Sequence, residues 1–140
     1  MVRALRHGGW LLVEEADTRT MAAIDSAHPL THGFNAATEN RIRALREGGT
    51  IDGHLGGSLP TLLADTGLED VVHEGIARII TGGTPWSSYL DQSWKLVDDR
   101  FVETGLLSAT DVAATRRAHD DPTFQYRDLT LDAAWGRRPS

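Results

Sequence analysis

Glu14, Glu15 and Asp17 follow directly on the apolar run Trp10-Leu11-Leu12-Val13. Carboxylates at such a boundary can take a proton from a reacting hydroxyl or amine, or hold a polar ligand; a solvated strand end uses the same residues. His28 and His32 have the His-x-x-x-His spacing that brings two imidazoles onto one face when it lies on a helix, where they could bind a metal. Pro29 and the turn-forming residues around it oppose that helix, so the pair reads as loop histidines, either solvent-exposed or facing a ligand, and no metal site is expected. Trp86 and Tyr89 open an aromatic stripe that continues through Trp94 and Phe101. Such a stripe either fills a core or walls an apolar pocket, and Trp86 and Tyr89 suit the pocket because they lie nearest the end of the preceding strand. The serines, including Ser58, Ser87 and Ser108, occur without a Gly-x-Ser-x-Gly turn, so none is read as a nucleophile. The candidate substrate-binding residues are therefore Glu14, Glu15, Asp17, His28, His32, Trp86 and Tyr89, with no catalytic residue assigned.

These residues sit in a chain of 140 amino acids, 40% hydrophobic and 24% charged, within the range of one globular domain. A net charge of -6 with no basic stripe disfavours nucleic acid and anionic membranes as partners. The absence of cysteine removes disulfides, thiolate nucleophiles and cysteine-bound zinc together. The apolar run at 10–13 is too short for a signal segment, and no stretch reaches the ~20 apolar residues that span a bilayer, so a cytoplasmic location is expected.

Residues 2–6 read as the last turn of a helix, capped by Gly8-Gly9. The uninterrupted run at 10–13 suits a strand buried on both faces of a parallel sheet, and the acidic residues then mark its carboxyl end, where open α/β sheets place ligand crevices. Residues 18–33 read as a connection across the mouth of the sheet, followed by a surface helix over 36–47. A second helix is expected near 58–66, with Ser58 as cap, Pro60 in its first turn and Gly67 at its end. Residues 71–80 form a β-branched strand closed by Gly82-Gly83, and Thr84-Pro85 opens a long helix that Gly105 terminates. Ser108 and Asp111 start a thin-faced fourth helix of shallow packing. The last element, 124–135, alternates with Leu129, Leu131, Ala133 and Trp135 on the face expected to be better buried.

The segment Arg3-Ala4-Leu5-Arg6-His7-Gly8-Gly9-Trp10-Leu11-Leu12-Val13-Glu14-Glu15 resembles the approach to the fifth strand of class I S-adenosylmethionine-dependent methyltransferases, with His7 where proline is commoner. The helix at 59–66 with Gly67-Leu68-Glu69-Asp70-Val71 resembles that fold's next helix and sixth strand. Ala134-Trp135-Gly136-Arg137-Arg138-Pro139 resembles the end of its antiparallel seventh strand. The resemblance implies an α/β domain, the C-terminal part of a Rossmann-like methyltransferase sheet with strands ordered five, seven, six. In it, residues 18–55 form a connection or lid and 84–120 a helical insertion that walls the acceptor pocket.

That family grips its cofactor through a glycine-rich turn after the first strand and an acid after the second, and the resemblance reaches neither. Gly8-Gly9 precedes a strand, and Gly48-Gly49, Gly56-Gly57 and Gly82-Gly83 read as turns. The resemblance thus implies part of an enzyme acting on a small-molecule methyl acceptor, with S-adenosylmethionine as cofactor of the complete enzyme, none bound by this chain alone, and no activity alone. It also implies an open strand edge at 10–13, paired by a missing N-terminal half or by self-association. The alternative is a non-catalytic small-molecule-binding or protein-interaction module derived from the same fold.

Overall fold

The computed structural model describes residues 2–49 and 53–140, so residues 50–52 of the expected 18–55 connection lie outside it. The described elements are β1 (Trp10–Asp17), β2 (Ala22–Ala23), α1 (Thr31–Glu47), α2 (Leu55–Asp65), β3 (Glu69–Thr81), α3 (Pro85–Glu103), α4 (Ala109–Asp120) and β4 (Gln125–Arg137). The last strand is the centre of the sheet. β3 pairs along one side of β4, and β1 and β2 lie end to end along the other, all antiparallel to it. The expected parallel setting of the first strand is therefore corrected: β1 and β3 share a direction but are separated by β4. No helix among the described residues is long and apolar enough to cross a membrane.

Side chains directly opposite one another on neighbouring strands point to the same face. One face holds Val13, Ala134 and His73 in register, and the next holds Leu12, Trp135 and Val72. The first is covered by α2 and the turn after it, where Leu59 and Leu63 of α2 and then Leu68 close over Ala134 with Leu11 and Val13. The second is largely bare: Leu12 is 59% and Leu131 54% exposed, and Trp10, Val72 and Ile76 are exposed beside them. Two expectations fail here for one reason. Residues 10–13 are not buried on both faces, and from Leu131 to Trp135 the odd positions of β4 lie on the open face, because α2 packs over Asp132 and Ala134; the register shift between Ala77 and Ile79 turns Tyr126 and Asp128 to the side that α3 crosses. Among the described residues β1 hydrogen-bonds along β4, and its other edge meets no strand.

The two predicted insertions come together as one helical layer. α1 starts earlier than the sequence suggests and is not a surface helix: Phe34, Ala37, Thr38, Arg41, Ala44 and Leu45 are all buried. Phe34 joins Ile80, Leu90, Ala118, Phe124 and Tyr126 in one core, and Ala44 and Leu45 join Phe101, Leu107 and Val112 in another. α4 is not shallow either, because small residues such as Ala118 let its backbone approach α1 closely; Val112, Thr115, Ala118 and His119 are buried. Its start is the reciprocal arrangement expected, with Ser108 Oγ accepting from the Asp111 amide and the Asp111 carboxylate accepting from the Ser108 amide. α3 is likewise capped by Thr84 with Pro85 at its first position.

α2 departs most from its expected start. It begins at Leu55, so Ser58 lies inside the first turn and Pro60 further in, and Gly56-Gly57 form helix and not a turn. The glycines are required by proximity: a Cβ on Gly56 would stand 2.7 Å from Asp132 Oδ2 and 3.0 Å from the carbonyl carbon of Ala16. They allow the helix to settle against β1 and β4.

Candidate functional site

A concavity of about 350 Å³ lies where α3 crosses the open face of the sheet. α3 contributes Trp86, Tyr89, Leu90, Ser93 and Trp94; β3 contributes Ile76 and Arg78; β4 contributes Asp128, Leu129 and Leu131. The residues of α3 share a face because they recur at three- and four-residue spacing. The Trp86 and Tyr89 rings lie 5.3 Å apart, inclined by 38°. The Arg78 guanidinium sits 4.7 Å from the centre of the Trp86 indole, a cation–π contact at the lip.

Asp128 is the polar centre of this apolar cleft. It is 4% exposed; its Oδ2 accepts a hydrogen bond from Trp86 Nε1 at 3.0 Å and its Oδ1 one from the Leu129 amide at 2.8 Å. These bonds fix the indole as one wall. Asp128 was not read from the sequence as a site residue; its only signal is a carboxylate among the apolar residues of the last strand.

The other sequence-derived candidates are scattered. Strand alternation divides Glu14 from Glu15: Glu14 points to the bare face, lining a shallow hollow with Trp10, Leu12 and Trp135, while Glu15 is half-buried and accepts from the Ala16 amide at 3.0 Å. Asp17 is buried and committed to Arg19, whose Nε lies 2.9 Å from Oδ1, and this bonding holds its carboxyl below the usual range. His28 packs edge-on against Phe124 and bonds the Thr123 hydroxyl at 3.2 Å. His32 is exposed in the first turn of α1, beyond the loop that holds His28. Of the seven candidates, only Trp86 and Tyr89 line the α3 cleft. Among the described residues, no three His, Cys, Asp or Glu are grouped so as to hold a metal ion.

Three further polar groups were missed by sequence reasoning. His73 Nε2 lies 2.6 Å from Asp132 Oδ1 on the sheet face covered by α2. Arg41 grips Asp98 with two bonds of 2.9 Å and bonds Thr115 Oγ1 at 2.8 Å, linking α1, α3 and α4. Ser87, His119 and Tyr126 form a buried cluster, with His119 Nδ1 3.1 Å from Ser87 Oγ and 2.9 Å from the Tyr126 hydroxyl. Burial lowers the His119 pKa to about 4 and raises that of Tyr126 to about 12, so both are neutral near pH 7. With all three side chains enclosed, the cluster cannot reach a substrate and acts as a packed polar joint.

Gly56 and Gly57 approach Asp132, Ala16 and the Asp17 carboxylate, and Gly82 approaches the backbone of Ala118 and Asp121. Their missing side chains make room for the protein itself. Compared with the models of known protein families and with curated protein sequences, the chain matches none.

Proposed function

We propose that these 140 residues are the acceptor-side portion of a class I S-adenosylmethionine-dependent methyltransferase acting on a small molecule, with the cofactor grip supplied by residues outside them. The observation that carries the reading is the sheet: a last strand, β4, set antiparallel between β1 and β3, with β1 presenting its other edge unpaired among the described residues. That is the arrangement the family resemblance implies for its fifth, seventh and sixth strands. An apolar strand with an open edge is a pairing surface, here assigned to the cofactor-binding portion.

In this reading the α3 cleft holds the acceptor. Trp86, Tyr89, Ile76 and Leu131 offer apolar walls that limit the poses an acceptor can take, and alignment of donor and acceptor supplies much of the rate in a transfer reaction. Asp128 orients the acceptor's polar end. Expression of the chain together with the coding stretch that precedes it tests the proposal. The expected result is a longer product that transfers a methyl group to a small molecule, inactivated by filling the cleft with Leu131→Trp. A longer product with no such transfer, or one indifferent to Leu131→Trp, contradicts it.

A further inference from the structure

Four aspartates are buried among the described residues: Asp17, Asp98, Asp128 and Asp132. Three have a basic partner, since Asp17 is bound by Arg19, Asp98 by Arg41 and Asp132 by His73. Asp128 differs: its described hydrogen bonds come from two neutral donors, the Trp86 indole and the Leu129 amide, and no ion pair to it occurs among the described residues. Arg78, which also lines the cleft, is stacked on the Trp86 face instead.

A carboxylate removed from water without a counter-charge is costly, and a carboxylate oxygen accepting one hydrogen bond still has capacity for another. The cost is met when a cation arrives with its own donors. Around Asp128 the cleft is aromatic, and aromatic faces attract the same cation through their quadrupoles. The cleft volume of about 350 Å³ suits a compact ligand of a single ring system with a short side chain.

We propose that the α3 cleft binds a protonated aromatic amine, its ammonium donating to Asp128 and its ring lying against Trp86 and Tyr89. This deepens the acceptor-site reading by naming the class of acceptor and rests on it only there: before its nitrogen could accept a methyl group the ammonium would have to pass a proton to the Asp128 carboxylate, whereas the binding itself does not require methyl transfer.

Calorimetric titration of the purified chain with tryptamine and with 3-ethylindole, which lacks the ammonium, tests it at pH 7. Tryptamine is expected to bind at least tenfold more tightly, and Asp128→Asn to remove that advantage while leaving 3-ethylindole unaffected. Asn keeps an oxygen for the Trp86 hydrogen bond, and an unchanged far-UV spectrum checks the variant's fold. Should that variant not fold, the comparison of the two ligands on the native chain decides alone. Equal affinity for the two ligands, no binding of either, or an unaltered preference in folded Asp128→Asn overturns the proposal. Tryptamine binding in a longer product that transfers no methyl group would sink the methyltransferase reading while leaving this site standing; methyl transfer to a neutral hydroxyl compound with no amine bound would do the reverse.

Discussion

Replacing Asp98 with leucine breaks the buried ion pair that joins α1 to α3. The Arg41 and Asp98 side chains are only 4% and 2% exposed, and they are joined by a two-pronged contact in which both bonds measure 2.9 Å. In Asp98→Leu the guanidinium keeps the Thr115 hydroxyl, the Trp94 face, 4.9 Å away, and a Coulombic pull from Asp111, but loses the carboxylate bonded to it. Breaking one side of such a buried pair costs about 3–5 kcal/mol, against a total stability of roughly 5–15 kcal/mol for a domain. The variant should therefore stand near the limit of folding. Arg41→Met with Asp98→Leu removes both charges and replaces them with apolar groups of similar volume, and should recover all but about 1 kcal/mol. Urea unfolding followed by circular dichroism at pH 7 measures the cycle. Should Asp98→Leu alone not fold, recovery of a cooperative transition in the double variant still shows the coupling. A single-variant loss below about 1 kcal/mol, or a double variant no more stable than the single, would refute the reasoning.

Three other outcomes follow from the same packing. His119 is buried neutral with its pKa lowered to about 4, so the unfolded chain binds the extra proton between pH 6.5 and 4; stability is full above that window and falls by about 3 kcal/mol through it. Urea titrations from pH 7.5 to 4.5 should show this slope flattened in His119→Gln, and an identical slope in both proteins would assign the loss elsewhere. Ser108→Ala should cost about 1 kcal/mol by removing the cap of α4, seen as a lowered thermal midpoint; an unchanged midpoint would discount the capping contact. Gly56→Ala should destabilise despite alanine's preference for helices, because its Cβ would meet Asp132 Oδ2 at 2.7 Å; a raised thermal midpoint would show that the Asp132 side chain yields at little cost.

Much of the layout was legible from local chemistry. Thr84-Pro85 and Gly105 bound α3, and Ser108 with Asp111 starts α4, because caps and breakers act within a few residues of themselves. Errors arose where neighbours distant in sequence decide burial. Arg41 lies among Ala37, Ala44 and Leu45 on α1, and Asp98 lies beside Trp94 and Phe101 on α3, positions a hydrophobic pattern marks as polar interruptions until the two meet. The alternation of Leu129, Leu131, Ala133 and Trp135 was visible but assigned to the wrong side, since only tertiary packing shows that α2 covers Ala134 and leaves Leu131 bare. Trp86 and Tyr89 stand out by their place nearest the end of the preceding strand, whereas the spacing of the aromatic stripe alone left core packing and pocket lining open. Asp128 could not, because its importance is the absence of a basic partner, which no local pattern records.

Titrating S-adenosylmethionine into the purified 140-residue chain and recording the heat tests the division of labour most directly. On the proposed reading, in which the grip for the methyl donor lies outside these residues, the titration should match the dilution blank at millimolar ligand. A saturable isotherm would mean that the strands and helices described above already contain the donor site, and the account would fail.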